Sequence, residues 1–160
     1  MQVVRIGMFE TNSSSCHSFS FGGGNYMIGL DFMTPDELES GKVYVSKRYY
    51  GREEQYYHDV DDKLSYLFTD IANGKQMPHG CHPAEIDVLS TIHRVFKRYT
   101  GADLIFDFAS SGEIDHESVN SLYSEIWGSR RNPKSESESD RLLTNFLFDA
   151  QSYIFTESDG

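Results

Sequence analysis

The chain has 160 residues, enough for a single domain to bury a core without disulfides or a structural metal, and eleven Phe and ten Tyr supply bulky rings to fill it. Its net charge is −11 and its fourteen Lys and Arg are scattered, which disfavours direct nucleic-acid binding and leaves solubility, a basic protein partner or imitation of nucleic acid's negative charge as what the acidity serves. No apolar run approaches the roughly eighteen residues a membrane span needs, and with only two Cys and no leader pattern in Met1–Glu10 the expected location is cytoplasmic, with no membrane partner.

In chain order, Gln2–Phe9 (QVVRIGMF) and His17–Phe21 carry the β-branched and alternating residues of two strands around a polar loop. Gly22-Gly23-Gly24 reads as a turn into a third strand, Tyr26–Phe32, so the chain is expected to open as a β-meander. Thr34-Pro35-Asp36-Glu37 combines a cap, a first-turn proline and two acids, predicting a short helix that Gly41 ends, with a strand over Lys42–Ser46 behind it.

Val60, Leu64, Leu67, Phe68 and Ile71 keep helical spacing between Asp59 and Ala72, and Asn73-Gly74 terminates that element. After a loop over Lys75–His82, Pro83 starts a helix whose Ile86, Leu89, Ile92, Val95, Phe96 and Tyr99 share one face up to Gly101. Asp103–Phe108 alternates as a strand and Glu117–Trp127 reads as a helix.

Residues 128–140 (GSRRNPKSESESD) hold no apolar anchor and read as a mobile Ser/Glu-rich loop. Leu142, Leu143, Phe146, Phe148, Tyr153, Ile154 and Phe155 then form a last helix and strand that return to the core. The fold class is α+β: a single domain over 1–160, mostly antiparallel sheet, with two or three helices packed on one face.

The segment Phe9–Phe21 (FETNSSSCHSFSF) is the least ordinary. Asn12, Ser13, Ser14 and Ser15 offer short donors and free amides suited to cradling an oxyanion, with His17 able to move a proton and Ser15, or Cys16, a candidate nucleophile. Arg5 and Glu10 are near in sequence and join the candidate ligand set. The structural alternative is a tight Asn/Ser turn with the imidazole satisfying a carbonyl.

A second cluster, Gly112–Ser118 (GEIDHES), brings Asp115 and His116 together at the start of a predicted helix, where the acids also suit the helix dipole. An acid, an imidazole and a hydroxyl become a catalytic set only if Asp115 and His116 approach the Ser loop in space. Cys16-His17 and Cys81-His82 with His79 have poor spacing for zinc, and His58, Asp59, Asp61 and Asp62 read as the polar start of a helix, so no metal site is expected. The sequence identifies no cofactor.

Arg5 with Phe9-Glu10-Thr11-Asn12-Ser13-Ser14-Ser15 and His17-Ser18 resembles the opening signature of a family of uncharacterised proteins seen in bacteriophages and their bacterial hosts. Asp62–Leu67, Gly112–Ser118, Phe146–Phe148 and Ser152–Ile154 are similar to later segments of it, while Cys16 departs from the Thr or Ser found there. The resemblance implies an accessory protein acting in a host cytoplasm. It also implies that the Ser loop and the Asp-His segment belong to one constellation.

Two expectations follow. The first is a small enzyme or binding protein for a phosphate-bearing, nucleotide-like ligand. The second is an acidic interaction protein, an inhibitor of a host system, whose host-protein partner meets it through charge and aromatics.

Overall fold

The structure is a computed structural model and describes residues 2–6, 15–51, 53–72, 83–115, 122–129 and 131–158. Strand β1 (Gln2–Ile6) pairs antiparallel with β2 (Ser15–Phe21), setting Arg5 beside Ser18 and Ile6 beside His17. The other neighbour of β2 is the C-terminal strand β8 (Tyr153–Ser158), and a short strand, Gln55–Tyr57, closes the sheet on the far side of β8.

The expected third strand over Tyr26–Phe32 does not form: Met27 alone makes a β-bridge, to Asp149. The reason is where the backbone groups go. The amides of Gly24 and Tyr26 bond the Asp149 carboxylate at 2.8 and 3.4 Å, that of Ile28 bonds the Phe148 carbonyl at 2.8 Å, and the Tyr26 carbonyl accepts from Ala150 at 2.8 Å. The segment is bound to a helix end, which leaves no ladder to join. Gly22, just before the segment, makes room for that contact, since a Cβ there would lie 2.2 Å from Asp149 Cγ.

Helix α1 (Pro35–Ser40) carries the full capping box, Thr34 with Glu37, and ends on Gly41 at φ 70°. Strand β3 (Lys42–Ser46) follows, then β4 (Tyr49–Tyr50), and the sheet strand Gln55–Tyr57 is β5. β3 pairs parallel with β6 (Asp103–Asp107), and β4 pairs parallel with β7 (Glu113–Ile114). These two small parallel pairs stand beside the four-stranded antiparallel sheet, whose order is β1-β2-β8-β5.

Helix α2 (Val60–Ala72) buries all five apolar positions that its spacing marks, and also Lys63, Ser65, Tyr66 and Thr69, so it runs through the interior rather than over it. Helix α3 (Pro83–Thr100) buries Leu89, Ile92, Val95 and Phe96, and its Tyr99 hydroxyl donates to the Ile28 carbonyl. Helix α4 (Leu122–Trp127) buries Leu122 and Ile126.

Helix α5 (Glu136–Phe148) begins inside the stretch read as a loop over 128–140. Ser135 is its cap, accepting from the Glu138 amide at 3.2 Å, and Asp140 in its second turn holds Arg94 of α3 by two bonds of 2.9 and 3.0 Å. A cap and an interhelix ion pair replace the missing apolar anchor.

Helices cover one face of the sheet through large rings: Phe19 meets Tyr66 at 5.6 Å between centroids and Phe21 meets Phe146 at 5.2 Å. Each fully buried ring of this kind contributes about 1.5–3 kcal/mol. One apolar cluster joins residues from all three sheets and all the long helices.

Candidate functional site

Parallel pairing of β4 with β7 brings Tyr50 beside Ile114, and the amide of the next residue, Asp115, bonds the Tyr50 carbonyl at 2.7 Å. The approach depends on Gly112, where a Cβ would fall 2.4 Å from the Arg48 amide nitrogen. The second sequence motif is thereby fixed against the turn that joins β4 to β5.

His17 reaches the same turn from behind. Its ring is fully buried, with Nε2 3.1 Å from the Gly51 carbonyl and Nδ1 2.7 Å from the Tyr66 hydroxyl. A carbonyl can only accept, so in the neutral ring Nε2 carries the hydrogen and Nδ1 accepts from Tyr66. Burial, followed by the nearby Asp70, Tyr50 and Tyr57, pushes the Tyr66 phenol well above its ordinary value, so Tyr66 remains a donor.

In front of the turn lies a cleft of about 470 Å³, lined by Tyr49, Tyr50, Gly51, Glu53, Glu113 and Asp115. Glu53 Oε2 and Asp115 Oδ2 lie 3.5 and 4.0 Å from the point a Cβ on Gly51 would occupy. Two carboxylates from distant parts of the chain thus converge on one small volume. Burial disfavours the Glu53 charge, but the Tyr57 hydroxyl at 2.6 Å and main-chain amides outweigh it and hold the carboxyl below its ordinary value. It is ionised at neutral pH.

Arg48, next to Tyr49 in the chain, is engaged elsewhere. Arg48 bonds Asp61 at 2.7 Å and Asp62 at 2.9 Å at the start of α2, and no described Lys or Arg pairs with Glu53 or Glu113. The same pairing engages two of the acids weighed as ligands for a divalent ion. Among the described residues no three His, Cys, Asp or Glu side chains are grouped to hold a metal.

Of the residues singled out in the sequence, His17 and Asp115 both abut the Tyr50-Gly51 turn, His17 in the core and Asp115 on the cleft wall. Arg5 and Ser15 are placed by strand register, opposite Ser18 and Ser158. Glu10, Asn12, Ser13, Ser14 and His116 lie outside the described residues, as do His79, Cys81 and His82. Cys16 is buried. The amides of Gly24 and Tyr26 cradle an oxyanion, the carboxylate of the chain's own Asp149, while the Gly22 amide bonds the Ser152 hydroxyl at 2.8 Å.

Sequence reasoning missed Tyr49, Tyr50, Gly51 and Glu53, and gave Glu113, inside the second cluster, no role of its own. The available signal was the stretch Tyr49–His58 (YYGREEQYYH), in which two Tyr pairs flank a glycine and two adjacent acids.

Compared with family models, curated proteins and solved structures, the chain matches none of them. Among the described residues no helix is long and apolar enough to cross a membrane.

Proposed function

We propose that the protein is an acidic binding protein whose cleft between the Tyr49–Glu53 turn and Glu113–Asp115 receives a cationic group carried by a partner protein. The observation behind this reading is the convergence of Glu53 and Asp115 on the space above Gly51, with Glu113 and two tyrosines completing the wall. Carboxylates in a recess attract an ammonium or guanidinium, and the exposed ring of Tyr49 adds a face on which it can rest. Under the family resemblance the partner would be a host protein and the setting a host cytoplasm.

The nucleotide-like ligand remains the second reading, supported by the meeting of the two motifs at one turn: His17 bonds the carbonyl of Gly51 while Asp115 stands beside it. In that reading His17, Ser15, Asp115 and His116 would handle the chemistry, and Arg5, Glu10 and Asn12 to Ser14 the anion. The acidic wall works against it, because a phosphate would enter a space already negative.

Thermal-shift measurement separates the two. Arginine- and lysine-bearing peptides should stabilise the protein, by about 2.7 kcal/mol at a hundred times the dissociation constant, and the gain should fall as salt rises. Gly51→Ala is the informative variant. Its methyl would meet Glu53 and Asp115 at ordinary contact distance on a backbone open to any residue, so the fold is kept while an apolar group is set between the two carboxylates. Stabilisation by nucleotides or inorganic phosphate, with none by cationic peptides, would overturn the proposal in favour of the second reading.

A further inference from the structure

We propose that Tyr57 is the positioning residue of the cleft: its hydroxyl holds the Glu53 carboxylate turned so that Oε2 is the oxygen presented above Gly51. The role rests on the preceding reading for the nature of the ligand, a cationic group, and falls to a side chain that lines no part of the cleft. Alternation along β5 exposes Tyr56 and turns Tyr57 into the core, beneath the turn that carries Glu53.

The two carboxylate oxygens of Glu53 do different things. Oε1 accepts from the Tyr57 hydroxyl at 2.6 Å, while Oε2 lies 3.5 Å from the point a Cβ on Gly51 would occupy. A carboxylate is planar and rigid, so a bond fixed on one oxygen restricts where the other points. The main chain of the same residue is held as well, since buried Thr156 of β8 donates from Oγ1 to the Glu53 carbonyl at 2.6 Å. Side chain and backbone of one exposed acid are thus tied to two paired strands of the sheet.

Tyr57 can fix Glu53 only if its own ring is fixed, and the core supplies that. Its ring meets Tyr50 edge-on at 5.1 Å between centroids, Tyr50 meets Tyr66 at 5.0 Å, and Tyr66 meets His17 at 5.8 Å. His17 then bonds the carbonyl of Gly51, two residues before Glu53, so four buried rings close a circuit around the turn. Rings packed this way keep one rotamer. A phenylalanine would fill the same space, and what the hydroxyl adds is the bond to Glu53. Burial acts to raise the Glu53 pKa, and that bond leads the causes that lower it. An acid on an exposed turn is in this way set by the core before any ligand arrives, which spares the ordering cost of binding.

The test is Tyr57→Phe in the full chain, alone and together with Glu53→Ala. NMR titration of the side-chain carboxyls should show the Glu53 pKa higher in Tyr57→Phe than in the parent, a change that a loss of packing alone would not produce. Fluorescence anisotropy with labelled nona-lysine should show affinity reduced by about 2- to 12-fold, the worth of one side chain left free to rotate. In the Glu53→Ala background the same substitution should leave affinity unchanged, because Tyr57 acts only through Glu53. Parent-like affinity in Tyr57→Phe, an unmoved Glu53 titration, or an equal loss of affinity in both backgrounds overturns the inference. A parent that binds no nona-lysine sinks the cleft reading instead, and the hold of Tyr57 on Glu53 then stands or falls by the titration.

Discussion

His17 and Asp115 sit on two sides of one turn: the His17 ring bonds the Gly51 carbonyl at 3.1 Å, and the Asp115 amide bonds the carbonyl of Tyr50, one residue earlier, at 2.7 Å. His17 therefore helps to set the floor of a cleft that Asp115 helps to wall. Replacing it by Ala removes a buried ring and leaves the Tyr66 hydroxyl without its nitrogen acceptor, which should cost about 2–4 kcal/mol. Tyr66→Phe, which keeps the ring and deletes one bond, should cost about 1–2 kcal/mol. Urea unfolding of both variants and their double checks this, with a coupling of about 0.5–3 kcal/mol expected for residues in contact. A coupling near zero would show that the bond to Tyr66 does not hold the ring.

That dependence also explains which features were legible in the sequence. α2 and α3 could be read from periodicity because their apolar positions repeat at helical spacing and every one described on those faces packs inward or nearly so. Thr34-Pro35 gave away α1 through capping chemistry, a local signal. What could not be read was partnership between distant segments. Tyr26–Phe32 has the composition of a strand, yet its amides are taken by Asp149 and the end of α5, a contact made across more than a hundred positions. The cleft was hidden for the same reason, since Glu53 and Asp115 are separate in the chain and meet only through the two-residue pairing of β4 with β7. The start of α5 was different: Ser135-Glu136-Ser137-Glu138 has the Ser-x-x-Glu spacing of a helix start, and low complexity obscured it.

That start gives a second prediction. Ser135 accepts from the Glu138 amide, so Ser135→Ala should lower stability by about 1 kcal/mol. Ser137→Ala, two positions later, should change it by less than about 0.5 kcal/mol. Thermal unfolding of the pair distinguishes a capped helix from an unstructured Ser/Glu stretch, in which the two substitutions would be equivalent.

The contact between the glycine run and Asp149 should be intolerant of added volume. A methyl on Gly22 would fall 2.2 Å from Asp149 Cγ, while the carboxylate is anchored by the amides of Gly24 and Gln151, each at 2.8 Å. Gly22→Ala should therefore destabilise by about 3 kcal/mol or more, and Gly23→Ala, whose nearest neighbour would be Asn25 at 3.6 Å, far less. The same carboxylate predicts a pH effect. Burial opposes its charge, but the amides of Gln151, Gly24, Tyr26 and Asn25 outweigh burial and hold its pKa below the ordinary value. Its stabilising contribution is complete above the unfolded value of about 3.9 and is lost as pH falls through the folded one. Asp149→Asn should be less stable at neutral pH and should lose less than the parent on acidification below about pH 4.

Lys63 runs the opposite way. Its side chain is 1 % exposed inside α2, with Nζ 5.7 Å from the Phe146 ring centroid, and burial pushes its pKa down to about 8 although Asp149 and Asp59 act to raise it. The unfolded value is about 10.4. Below pH 8 the group is charged in both states and the folded protein bears the full desolvation cost; between pH 8 and about 10.4 the unfolded chain binds the extra proton, so stability rises with pH; above that the cost is gone. Lys63→Met, similar in length and uncharged, should therefore be more stable than the parent by about 1–3 kcal/mol at pH 7. The gain should shrink as pH climbs from 8 to about 10.4. Denaturant midpoints measured at pH 7 and pH 10 check both the sign and the trend. A variant that is less stable at pH 7 would mean that Lys63 has attractive partners strong enough to outweigh the cost of its burial.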